Sequence, residues 1–198
     1  MTKTTYLALP FAALLLLTGC ATATATIPAD PPAASGTPAA TVSVIISGGL
    51  ETDPVDGGRP VVLIAAALGV PTEVFREAFS GVTPASDGDG PTGAEAQANK
   101  AALFAVLAPY GITNEQLDEV SNRYRYLASA GEMWPHSEAA AVATVVDGVV
   151  TGIEIVTAGS GYTSTPVITL SNGQTATAEL SFGTDVDANG SIAAITLD

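Results

Sequence analysis

The spacing of apolar residues changes once along this chain, between Ala128 and Glu138, and that change dictates a fold in two parts. From about Thr41 to Ala128 apolar side chains recur mostly at intervals of three and four. From Glu138 to Asp198 they come as short runs of Val, Ile and Leu broken by glycine turns. The pattern predicts an α+β fold, with a small helical module followed by an antiparallel β unit.

Local signals place the helices. Pro60 to Leu68 is almost continuously apolar. Its Ala65-Ala66-Ala67-Leu68 run and the stop at Gly69 favour helix over strand. Pro71-Thr72-Glu73 opens a second helix carrying Val74, Phe75, Ala78 and Phe79 inward. Thr92 with Glu95, and Thr113 with Gln116, are spaced as capping boxes, in which each side chain satisfies an amide the helix leaves unpaired. Tyr110-Gly111-Ile112 reads as the stop between these two helices. The last helix is expected to present Leu117, Val120, Tyr124 and Leu127 as one stripe. Val42 to Ile46, closed by Ser47-Gly48-Gly49, reads as a short strand at the head of this module.

Turn residues place the strands. Val142 to Val146 and Val149 to Val156 flank Asp147-Gly148, a tight hairpin signature. Gly159 to Tyr162 is a turn, Val167 to Leu170 a strand, and Asn172-Gly173 another turn. Gln174 to Phe182 and Ser191 to Leu197 complete the unit. Asp147 to Ile155 aligns with Asn189 to Leu197, a partial internal repeat. The second copy is expected to cap a sheet edge.

The N-terminus reads as an address. Lys3 precedes an apolar run from Tyr6 to Leu17, about a dozen residues, the length of a signal-peptide core and too short to span a bilayer. The run ends Leu17-Thr18-Gly19-Cys20, which resembles the lipobox of bacterial lipoproteins. That resemblance implies a signal peptide over 1–19, cleavage before Cys20 and acylation of its thiol with palmitate or a similar chain. Ala21 in the next position implies sorting to the outer membrane. Residues 20–41, with Pro28, Pro31, Pro32 and Pro38 among Ala and Thr, read as a tether. The divisions that follow are a helical module over 42–128, a connector over 129–137 and the β unit over 138–198. A second resemblance lies in Gly159-Ser160-Gly161-Tyr162-Thr163-Ser164-Thr165-Pro166, which is similar to a GSGYTSxP hairpin motif of bacterial secreted, surface and phage tail-associated proteins. With Asn99 to Leu103 and Tyr110 to Asn122, it resembles an uncharacterised bacterial secreted family over roughly Gly57 to Leu170. It implies a surface or envelope location and transfers no catalytic residue.

Charge removes several function classes. Six Lys and Arg against 20 Asp and Glu give a net charge of −14, the wrong sign for nucleic acid or for a polybasic grip on anionic lipid. One Cys forms no internal disulfide, and with one His it makes no structural zinc set. No basic residue follows Arg125, so the charge is lopsided.

Four groups of residues are candidates for chemistry. Asp185, Asp187 and Asn189, followed by Gly190 and Ile192, match the first eight positions of an EF-hand loop. Thr196 stands where the bidentate Glu belongs, so the choice is between a weak calcium site and an acidic turn. Asp53, Asp56, Asp87 and Asp89 are either solvated turns or a cation site. Arg123 and Tyr126 share a helix face, and either bind a ligand or join the two halves. Trp134, the only Trp, lies two residues from the only His, and together with Tyr162 and Tyr126 it either forms a ligand-stacking cluster or plugs the seam. No resident cofactor is expected beyond that calcium. The favoured function is a non-enzymatic, envelope-anchored binding or adhesion module for a glycan or a protein. The alternatives are a structural or assembly lipoprotein and a carboxylate-based hydrolase, for which no carboxylate pair is singled out.

Overall fold

The computed structural model describes residues 40–83 and 91–198. The leader, Cys20, the tether up to residue 39 and the loop carrying Asp87 and Asp89 lie outside the described residues. Strand β1 (Ala40–Ser47) comes first, followed by four α-helices: α1 (Val61–Leu68), α2 (Thr72–Ser80), α3 (Gly93–Leu107) and α4 (Asn114–Arg123). Five strands follow: β2 (Ala140–Val146), β3 (Val149–Thr157), β4 (Val167–Thr169), β5 (Thr175–Ser181) and β6 (Ser191–Leu197). The fold is α+β.

The helices begin and end where local chemistry requires. Thr92 and Thr113 both form complete capping boxes, with Glu95 and Gln116. The Thr92 hydrogen bonds hold the Glu95 carboxyl below its usual pKa. Gly69 and Gly111 end their segments in the left-handed conformation, and Ile112 packs back into the core. One expectation fails: α4 stops at Arg123, so Leu127 falls outside the stripe and is 59 % exposed. The other three members, Leu117, Val120 and Tyr124, are buried with Leu63 and Phe75 in the helical core.

The sheet is antiparallel throughout, in the order β3-β2-β1-β4-β5-β6. It therefore consists of two three-stranded meanders, β1-β2-β3 and β4-β5-β6, joined through β1 and β4. Exchanging the meanders maps β3 onto β6, and these two strands carry the internal repeat. They are the sheet's outer strands and approach one another, so the sheet is nearly a barrel. Where they meet, Ile192 N donates to Ala158 O at 2.9 Å. Each inward face supplies apolar side chains to a second core around Val44, Ala143, Tyr162, Ile168 and Ile192. Leu50 packs against both cores.

Strand β1, read from sequence as the head of the helical module, is instead central to the sheet. It pairs with β2 over Ala40–Val44 and with β4 over Ile45–Ser47. The Gly159–Pro166 segment also departs from the hairpin reading, because β3 and β4 are not neighbours and this segment is the crossover between them. Its backbone is stitched on three sides. Ser160 exchanges hydrogen bonds with Ser137, Gly161 N and Tyr162 N donate to Asn189 O and Gly190 O, and Thr163 N and Ser164 N donate to Gly49 O. Glu51 completes the last contact by accepting from Ser164 Oγ at 2.7 Å and Gly49 N at 2.8 Å, the Ser164 bond being the main cause of its lowered carboxyl pKa.

Gly190 has φ +69°, and a Cβ there would lie 2.4 Å from Tyr162 O and 2.6 Å from Leu63 Cδ2. Gly173 has φ +82° but open space around it. Gly190→Ala should therefore cost about 3 kcal/mol or more, and Gly173→Ala only about 1 kcal/mol, in denaturant unfolding. Equal losses would contradict the packing described.

Candidate functional site

Of the residues singled out from sequence, Arg123, Trp134, Asp187 and Asn189 lie at the seam between the helices and the sheet, whereas Asp53 and Asp56 do not. Asn189, at the end of the β5–β6 loop, is 1 % exposed. Its Nδ2 donates to Leu63 O at 2.7 Å and to Tyr124 Oη at 2.9 Å, and its Oδ1 accepts from Gly183 N at 3.2 Å. One amide thus satisfies groups from α1, the end of α4 and its own loop. Sequence signalled Asn189 as a turn residue or a calcium ligand but not as a strut, because an amide aimed at a partner 126 positions away leaves no local trace.

The other two oxygens of the EF-hand-like loop are also engaged within the fold. Asp185 Oδ1 accepts from Asp187 N at 3.1 Å, and Asp187 Oδ1 pairs with Arg123 Nη2 at 2.6 Å. Among the described residues no group of three or more His, Cys, Asp or Glu is placed to hold a metal ion. Arg123 therefore joins the helices to the acidic β half. Asp53 and Asp56 are drawn to Arg76, which bonds both Asp56 oxygens (2.7 and 3.0 Å), Asp53 (3.2 Å) and Glu73 (2.6 Å).

The three aromatic candidates do not form an exposed stacking cluster. Trp134 is buried, its indole N–H donating to Gly161 O at 2.8 Å, and it meets Tyr126 edge-on with ring centroids 5.5 Å apart. Tyr162 is buried in the sheet core, its hydroxyl accepting from Ala139 N at 2.9 Å. Only Tyr126 stays half-exposed, its hydroxyl donating to Gly58 O. The indole and phenol each place a polar tip on a backbone group while the ring fills the core, which suits a seam better than a ligand platform.

Tyr126 also borders the concavity that sequence reasoning missed. A cleft of about 240 Å³ opens among α1, α2, α3 and α4, with Ile64, Phe75, Phe79 and Leu103 contributing apolar surface and Arg59 and Arg125 contributing charge. The Arg59 guanidinium lies over the Phe79 ring, 4.2 Å from its centroid. The four apolar residues come from three helices, α1, α2 and α3, and only the packing of those helices defines the cleft.

Two predictions separate the seam contacts. Asn189→Ala should cost about 3 kcal/mol, because it removes a partner from Leu63 O and Tyr124 Oη in the interior and from the part-buried Gly183 N. Asp187→Asn should cost under about 1 kcal/mol, since that ion pair is solvated. Chemical denaturation of both variants reads the difference. The Tyr124 phenol is held above its ordinary pKa, first by burial and then by the Asp187 charge, against the Asn189 hydrogen bond and Arg123. Because its folded pKa is raised, its stabilisation is fully present below the unfolded value of about 10 and is lost as pH rises through the folded pKa. Tyr124→Phe should flatten the fall in stability above about pH 10, measured as the thermal midpoint against pH. An unchanged alkaline slope would assign the fall to other groups.

Comparison with protein families, with curated proteins and with solved structures finds no match to this chain.

Proposed function

We propose that this chain is an envelope-anchored lipoprotein, held at the outer membrane through acylated Cys20, that binds a partner and carries out no chemistry on it. The observation that carries the reading is the route of the tether into the fold. Residues 20–39 lead directly into β1, and β1 is hydrogen-bonded to β2 along its first five residues and to β4 along its last three. A load passed on through residue 39 falls first on β1, whose ladder bonds to β2 and β4 share it. That suits a module tethered at one end and engaged at the other.

A protein partner is favoured over a glycan. The rings that would stack on a sugar, Trp134 and Tyr162, are spent in the interior. The outer face of the sheet instead shows Ile45 and Val167, 62 % and 63 % exposed, on the neighbouring strands β1 and β4. Apolar side chains diagonal to one another on the outer face of a rigid sheet offer a protein partner a firm contact.

Anchoring is tested by expressing the full chain in a bacterium fed an alkyne-tagged palmitate. The tag should appear on the wild type, which should sediment with membranes, and both should be lost in Cys20→Ser. A labelled or membrane-bound Cys20→Ser chain would refute the anchor. Probing an array of envelope polysaccharides with the Cys20→Ser chain should give no selective retention; selective retention would return the glycan to first place.

A further inference from the structure

The described residues contain five cations, and the structure spends them unevenly. Arg76, Lys100 and Arg123 each form ion pairs, with Asp56, Asp118 and Asp187 among their partners. Arg59 and Arg125 form none among the described residues, and both line the same cleft. In a chain with 20 acidic residues, none of the described residues lining that cleft is acidic. Two guanidinium groups with no ion-pair partner among the described residues, beside an apolar floor and with Asp118, in the adjoining concavity, paired to Lys100, make a positive concavity on a negative molecule.

The geometry points to a binding site for a small organic carboxylate carried on an aromatic or branched apolar body. Ile64, Phe75, Phe79 and Leu103 provide the apolar contact for the body, and Arg125, which is solvent-exposed, provides a planar fork matched to a carboxylate. Arg59 is fixed over Phe79 and donates through Nη1 to Asp56 O at 3.3 Å, so it is oriented before any ligand arrives. Preorganised charge beside an apolar surface favours an anion over its neutral analogue of the same shape. About 240 Å³ suits one ring and a short chain. The cleft runs on into a second concavity of about 350 Å³, which also includes Phe79, Leu103, Ser121 and Arg125, so Arg125 stands where the two join. This site goes beyond the anchored-module reading and does not depend on it.

The test uses the full chain carrying Cys20→Ser, so that lipid attachment does not bear on the outcome. The probes are 4-phenylbutyrate and its neutral amide, 4-phenylbutyramide. Binding is read by calorimetry and by emission of Trp134, whose ring touches Tyr126 at the cleft edge. The carboxylate should bind at least about tenfold more tightly than the amide, and added salt should weaken it. Arg125→Gln should abolish that preference with an unchanged thermal midpoint, because the side chain is exposed and forms no ion pair among the described residues. Arg125→Lys should restore only part of it. Equal affinity for acid and amide, an Arg125→Gln chain that keeps the preference, or no binding of the acid up to about 10 mM would each overturn the assignment.

Discussion

The Gly159–Pro166 crossover is the contact on which the rest of the structure depends. It must travel from an outer strand, β3, to a central strand, β4, and on the way it passes close to three other segments. A Cβ on Gly159 would sit 2.7 Å from Ala139 N, and one on Gly161 would sit 2.6 Å from His136 Cβ. Both residues have positive φ, so glycine is required twice over, by conformation and by space. Gly49, on the facing segment, has the same need, since a Cβ there would meet the Tyr162 ring at 2.7 Å. Close backbone approach lets Trp134 reach Gly161 O and Tyr162 reach Ala139 N. The buried indole and phenol thus lock the connector 134–139 to the crossover, and through it to both cores.

The sheet explains why one loop carries so much. Two meanders related by exchange of β1 with β4 leave β3 and β6 as outer strands, and near-closure brings these edges together instead of exposing them. The β5–β6 loop lies against the helical layer, and Asn189 turns it into a hinge of polar contacts between α1, α4 and the sheet. Arg123 and Asp187 add a solvated ion pair beside it. The buried amide contributes more than the ion pair, because water competes for the ion pair but cannot reach Asn189.

With so few cations, each one's placement is informative. Arg76 holds the loop at Asp53 and Asp56 onto α2, Lys100 holds α3 to α4 through Asp118, and Arg123 holds the helices to the β half. The two cations that remain among the described residues, Arg59 and Arg125, both line one cleft. A residue type this scarce, left without an ion pair twice in one place among the described residues, departs from the pattern set by the other three.

Features that depend on near neighbours were legible in the sequence. The capping boxes at Thr92 and Thr113, the left-handed stops at Gly69 and Gly111, and the turns at Asp147-Gly148 and Asn172-Gly173 all follow from residues within four positions of one another. The repeat between Asp147–Ile155 and Asn189–Leu197 marked the two strands that face each other at the sheet's edges. Only the tertiary structure decided that β1 crosses from the helical half to the middle of the sheet, that Leu127 turns outward, and that Trp134 and Tyr162 are interior. It alone decided that Asn189 is a buried strut and that Arg59 and Arg125 line one cleft. The physical reason is range. Helix caps and turns are fixed by the dihedral angles and hydrogen bonds of adjacent residues. The seam and the cleft arise instead where segments up to 126 positions apart exclude water together, and no local spacing records which segments those will be.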